Sequence, residues 1–368
     1  MSRFRALSLF VLIACIALAA PARSQPAGAL GEDFIHRIRQ GETLIDLAAR
    51  YTRDQSNWAR LQSLNQIASP ERLPIGLELH IPLSMIPMRD AEARVVHVSG
   101  QADMNGKSVQ PGTPVAEGST VETAPNGFVT LQLADGSTLT LPSNGAVELT
   151  RLRQFEGTAL TDSLINVRRG SVESSVAPQG QGVGRFEIRT PVAVTGVRGT
   201  RFRVQSGAQG AHSEVLEGSV RLQAHAPGAA PAEPVAVAQG YGAAVGADGT
   251  VSGVRALLAA PQLAEPARTG AAWTTTFAPV EGAQGYLVRV SRDPDGALPV
   301  SSTLFATPDI RFSAPGPGTF YVSVRAVDNL GLHGRDSVRS FEGASMLMTS
   351  YGLGVSSGAG GLVTLTAY

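Results

Sequence analysis

With 368 residues the chain has room for more than one hydrophobic core, and 30 basic against 30 acidic residues leave it without net charge. With that balance and a single lysine among the cations, neither a basic nucleic-acid patch nor an acidic tail is visible, and a strongly charged class of protein is excluded. The 41 glycines and 23 prolines against 5% aromatics point to many short strands and turns, hence a mainly β multidomain chain.

The chain opens with Arg3 and Arg5, an apolar run from Ala6 to Ala20 and small residues through Ala22. This reads as a signal peptide over 1–24 and predicts an exported protein, periplasmic or otherwise in the cell envelope. Leu12-Ile13-Ala14-Cys15 resembles a lipobox, so anchoring at Cys15 is the alternative, although the apolar run continues beyond it. Cys15 is the only cysteine, so a mature chain cut behind it has no thiol for disulfides, metal sites or nucleophilic catalysis.

Residues 33–83 read as a β-α-α-β unit. His36-Arg37-Ile38 starts a strand, Gln40 to Thr43 is a capped turn, and Leu44 to Tyr51 is a helix with Leu44, Leu47, Ala48 and Tyr51 on one face. A second helix is expected from Ser56 to Leu64, with Trp58, Leu61 and Leu64 inward and Asn65 as its cap, before a strand from Leu77 to Pro82. The series Gly41-Glu42-Thr43-Leu44, Leu47-Ala48, Tyr51, Leu61, Asn65, Ile67, Ile75-Gly76, Leu79, Ile81-Pro82 resembles the LysM (lysin motif) family. The resemblance implies binding of peptidoglycan or another N-acetylglucosamine-containing glycan. The groove would have Gly41, Glu42, Thr43 and Leu44 on one wall and Leu73, Pro74, Ile75 and Gly76 on the other. An N-acetyl sugar offers an amide for backbone hydrogen bonds and a methyl for a small apolar pocket.

Residues 93–255 form the second unit. Gly127 to Leu141 alternates apolar and polar residues about Asp135-Gly136, a strong hairpin signal that puts Val129, Leu131, Leu133, Leu139 and Leu141 inward and the threonines and Gln132 outward. Short strands follow from Val147 to Leu222, in keeping with an all-β sandwich or solenoid-like stack, and the Pro/Ala-rich stretch from His225 to Pro234 reads as a loop inside the unit. Leu133-Ala134-Asp135-Gly136-Ser137, Gly170-Ser171-Val172, Phe186 to Pro191, Val197 to Phe202, Glu217 to Val220 and Ala238-Gln239-Gly240 together resemble the FecR-type domain, the periplasmic sensing region of bacterial iron-citrate regulators. That resemblance implies no catalysis, and a regulator's cytoplasmic segment and transmembrane helix are not seen ahead of the domain. Thr195-Gly196-Val197-Arg198-Gly199-Thr200 lacks the lysine and spacing of a phosphate loop and reads as a turn.

Ala260-Pro261 through Arg268 marks a boundary to a third unit, 268–343, in which Tyr286 to Val290 and Phe320 to Asp328 alternate strongly. An antiparallel β-sandwich is expected, and the spacing of Trp273, Tyr286 and the Tyr321-to-Asp328 strand resembles a fibronectin type III domain, a family of spacers and docking surfaces. Residues 344–368 are a glycine-rich tail.

The six histidines are scattered, and no nucleophile elbow, paired-carboxylate motif or cofactor loop stands out; Asp293 and Asp295 form a turn without the other ligands of a calcium loop. The expectation is a non-enzyme with no cofactor, metal or nucleic-acid partner. It would hold wall glycan through 33–83 and present β domains to an envelope protein not named by the sequence. The alternative is a periplasmic sensor or regulator that transduces a signal through its FecR-type domain.

Overall fold

The computed structural model describes residues 29–30, 32–177, 183–197, 199–225, 232–269, 272–314 and 316–343. The segment 1–24 expected to be a signal peptide, with Cys15, and Arg198, most of the Pro/Ala-rich loop (226–231) and the tail from 344 lie outside the described residues. The chain is mainly β, with a small helical module at the amino-terminal end and, among the described residues, three separate hydrophobic cores.

In the amino-terminal module, the strand Asp33–Arg37 pairs antiparallel with Glu78–Pro82, Phe34 opposite Ile81 and His36 opposite Leu79; a short strand, Ala29–Leu30, adds to its edge. The first helix, Leu44–Thr52, starts where Thr43 Oγ1 accepts from Asp46 N at 3.2 Å and stops at Arg53, which takes the left-handed conformation (φ 58°). Its apolar face buries Leu44, Leu47, Ala48 and Tyr51 as the spacing predicts. A single 3-10 turn, Gln55–Asn57, leads into the second helix, Trp58–Leu64. Leu61 is fully buried and Trp58 half-buried, but Leu64 is exposed, not inward. The chain reverses at Gln66 (φ 52°), Ile67 N bonds Gln62 O at 3.0 Å, and Ile67 covers the core in its place. Asn65 ties the helix end to the sheet: its Nδ2 donates to Leu61 O and His80 O, and its Oδ1 accepts from His80 N.

The central unit is two packed layers. One runs Ala146–Phe155, Thr161–Ser175, Val183–Arg189, Ala193–Val197, Ser219–Ala224, Val235–Ala238 by neighbouring hydrogen bonds; the other runs Ala93–Ser99, Phe128–Gln132, Thr138–Leu141, Thr161–Ser175, Arg201–Gly207, Gly210–Glu217, Tyr241–Gly246, Val251–Ala256. The strand Thr161–Ser175 belongs to both. It passes from one layer to the other near Gly170 (φ 78°), where a Cβ would lie 2.8 Å from Gly145 Cα, so only glycine fits. The inner faces meet in one core that includes Val129, Leu131, Leu139, Leu141, Val147, Ile165 and Ile188. The hairpin has the expected register, Val129 opposite Leu141 and Leu131 opposite Leu139, and the Pro/Ala-rich stretch joins two strands of the same layer.

The third unit has two antiparallel sheets, one of Ala267–Thr269, Ala272–Thr275 and Ile310–Phe312, the other of Pro299–Phe305, Gly285–Ser291, Gly318–Val327 and Ser337–Gly343. Between them pack Phe312 and Phe341 (ring centroids 4.9 Å apart) and Phe277 and Tyr286 (4.8 Å).

The units are not beads on a string. Phe155 and Leu160 of the central unit complete the core of the amino-terminal module. The third unit covers the outer face of the second layer, and there the sequence reading needs correction: Thr130 and Thr140 are buried, because Thr130 Oγ1 donates to Ala297 O at 2.5 Å beneath the turn at 293–298. Next to them lies a buried charge ladder. Glu173, Arg203 and Glu214 are successive cross-strand partners, and Arg289 and Arg325 descend onto them from the third unit. Glu173 accepts two bonds from Arg289 (2.7 and 2.8 Å) and one from Arg325 (2.6 Å), while Asp336 pairs with Arg203 and Arg325. The joining segment is anchored as well, since Leu257 and Leu263 are buried and Leu258 O accepts from Arg335 N.

Candidate glycan-binding site

Ile38 brings the two sequence-predicted walls together. Its side chain is buried, its N–H donates to Leu77 O (2.9 Å) and its carbonyl accepts from Gly76 N (2.8 Å), so the turn after the first strand lies against the loop before the last. Gly41 (φ 83°) and Gly76 (φ 84°) make the two turns, and among the described residues, chain neighbours apart, no atom lies within 4 Å of a Cβ placed on either. The backbone there is open to an approaching ligand.

The eight residues do not all offer side chains. Leu44 is fully buried in the module core and Leu73 is half-buried against it, which leaves their backbone as the part able to face a ligand. Thr43 is committed to the helix, accepting from Asp46 N and donating to Asp46 Oδ2 at 2.7 Å. Glu42 is a brace: one carboxylate oxygen takes His36 Nε2 (2.7 Å) and Arg39 N (2.8 Å), the other Arg50 Nη1 (2.8 Å). Burial pushes the Glu42 carboxyl up, but these bonds, led by that from His36, outweigh it and hold the pKa at about 2. Pro74, Ile75 and Gly76 are exposed, Ile75 by 71%, and Ile45 adds a second exposed apolar side chain from the first helix. Apolar groups beside open backbone suit a ligand with small methyls and amide groups.

Sequence reasoning missed the brace. His36 looked like one of six scattered histidines, yet it shares a strand face with Phe34 and stands 3.0 Å from the Tyr51 hydroxyl by its Nδ1. The i, i+2 spacing of Phe34 and His36 was the available signal. The Asp293 turn is structural: its carboxylate accepts from Ala297 N and Leu298 N. Among the described residues no group of His, Cys, Asp and Glu is arranged to hold a metal ion, and no helix is long and apolar enough to cross a membrane.

A β-α-α-β module whose two turns meet at an open backbone, fused to a two-layered β domain, defines a mainly β multidomain chain with a small helical module at its amino-terminal end. The family models agree: residues 36–82 match the LysM domain and residues 119–221 match the FecR protein family. The chain thus carries a LysM domain followed by a FecR domain. No curated protein matches it. Among solved structures, two crystal structures of a candidate anti-sigma factor from Parabacteroides distasonis ATCC 8503 are similar at 16% identity, with TM-scores of 0.30 and 0.29. Each alignment covers 37% of this chain and 59% of the other, so the chain spans less than two thirds of their length.

Proposed function

We propose that this is a non-enzymatic cell-envelope protein that binds peptidoglycan through the turns at 41–44 and 73–76, and that its β domains are carried as a rigid interaction surface. The observation that supports it most is the pair of open glycine turns joined through Ile38 and flanked by exposed Ile75, in a module matching the LysM domain. A single shallow groove of this kind binds weakly, with dissociation constants on the order of µM to mM. Retention at the wall then rests on the density of glycan repeats.

The seven strands of the third unit, in two sheets, are in keeping with a fibronectin type III-like spacer, clamped to the FecR domain by the charge ladder. A second reading is favoured by the FecR match over 119–221, in which that domain relays an envelope signal to a protein partner and the wall module positions it.

The test is co-sedimentation of the mature chain with purified sacculi, beside Ile75→Asp, which charges the groove at a side chain that is 71% exposed and strains no backbone. Wild type should pellet and the variant stay in solution with an unchanged melting temperature. Equal behaviour of the two would refute the site.

A further inference from the structure

The third unit covers one outer face of the central domain; the other carries a cleft of about 770 Å³ that reaches the amino-terminal module at Glu32. Its floor is a row of cross-strand partners, Glu187, Gly196 and Arg221. Phe186, Ile188, Val197 and Val220 point into the core, so the alternation of these strands turns the row outward. Neighbouring strands lie about 4.8 Å apart, so Glu187 and Arg221 flank a gap of roughly 10 Å. Gly196 leaves that gap open: among the described residues, chain neighbours apart, no atom lies within 4 Å of where its Cβ would stand.

The charges along the cleft are unequally committed. Arg185 Nε donates to Glu32 at 2.9 Å, and Arg151 Nε lies 3.1 Å from Asp162, which is buried beneath it. Arg221 is exposed and has no ion pair or hydrogen bond among the described residues. Glu187 pairs with Arg189 two residues along its own strand, an exposed contact that a ligand can displace at little cost. The slot therefore has a carboxylate at one end and a free guanidinium at the other.

We propose that this cleft binds a short peptide carrying both a free amine, taken by Glu187, and a free carboxylate, taken by Arg221, and that its source is the stem peptide of peptidoglycan, whose free amine is a side-chain one because its N-terminus is bonded to the sugar. The dipolar lining favours such a peptide over a simple anion, which would satisfy Arg221 and leave Glu187 without a cationic partner on the ligand. The assignment to the wall rests on the glycan reading above. Glu32 and Ile38 flank the strand Asp33–Arg37, six residues and at most about 20 Å apart, so one polymer can reach both sites, its sugars on the turns and its peptide in the cleft.

The experiment is calorimetric titration of the full mature chain with two separate probes, the free stem tetrapeptide and peptide-free glycan chains. Gly196→Leu, Arg221→Glu and Ile75→Asp are titrated in parallel. Gly196 sits in a strand with open space above it, so leucine fills the slot without strain, and an unchanged melting temperature shows that the fold is kept. The tetrapeptide should bind wild type and Ile75→Asp alike, and Gly196→Leu and Arg221→Glu about ten- to a hundredfold more weakly. Tetrapeptide that does not bind, or binds Gly196→Leu like wild type, overturns the proposal, as does amine-acetylated peptide binding as tightly as the free form. Glycan binding without tetrapeptide binding removes the cleft and leaves the glycan site standing; tetrapeptide binding without glycan binding does the reverse.

Discussion

Replacing Glu173 by alanine should release the third unit from the FecR domain. Arg289 and Arg325 are each 2% exposed, and Glu173 takes three of their donors at 2.6 to 2.8 Å. Burial raises the Glu173 carboxyl pKa, but Arg289, Arg325 and Arg203 outweigh it and hold the group well below the usual carboxylate range. In Glu173→Ala, Arg325 keeps Asp336 at 2.8 Å, whereas Arg289 loses its ion-pair partner within the described residues. An uncompensated buried charge costs about 3–5 kcal/mol, roughly a hundred- to several-thousandfold in the docking equilibrium. Urea melts should show a new early transition, and hydrogen exchange should rise in the joining segment 257–266 and the turn at 293–298 before the FecR core is touched. The double variant Glu173→Leu with Arg289→Leu removes both ends of the pair and should recover most of the loss. A single variant within about 1 kcal/mol of wild type, or a double variant no better than the single, would refute the argument that the ladder holds the units together.

Phe155→Ala removes a ring that is 1% exposed and belongs to the core of the amino-terminal module, so about 3–5 kcal/mol should be lost and the module should melt ahead of the rest, as read by calorimetry. Glu42 has a folded pKa of about 2 against an ordinary 4.5, so its stabilisation is complete above pH 4.5 and is lost as pH falls toward 2. Glu42→Gln should flatten that acid limb in melting temperature against pH. Glu214 is the opposite case. Burial pushes its carboxyl up to about 7 against the pull of Arg203 and the His333 N–H, so the folded state holds a proton that the unfolded state gives up near 4.5. Stability should therefore decline from pH 4.5 to 7, and Glu214→Gln should abolish the slope and be more stable than wild type above pH 7.

The sequence announced each unit's inner face and little of how the units meet. The inward leucines of the hairpin and the apolar face of the first helix obey periods of 2 and 3.6, and both stand as read. Thr130, Thr140, Arg289 and Arg325 occupy the alternate positions that read as solvent-facing. They are buried because a second layer covers them, and nothing in a period-2 pattern says whether the polar face of a sheet meets water or another domain. Leu64 failed for a local reason: the helical spacing holds, but the chain turns back at Gln66 and Ile67 arrives first. In the candidate glycan site, the turns were legible from Gly41 and Gly76. The brace of His36, Glu42 and Arg50 was not, since it joins a strand to a helix across 6 and 8 residues with no recurrent spacing.

The strand shared by both layers has a mechanical consequence. Its first residue, Thr161, directly follows Leu160, which is buried in the core of the module that holds glycan in our reading, and Glu173, eleven residues on from Asp162, grips the third unit. A pull on the wall is then carried along one strut of at most about 37 Å. Such a load shears the flanking ladders of hydrogen bonds together instead of peeling them one by one, and the third unit is held at a fixed stand-off from the glycan, like the far end of a gauge.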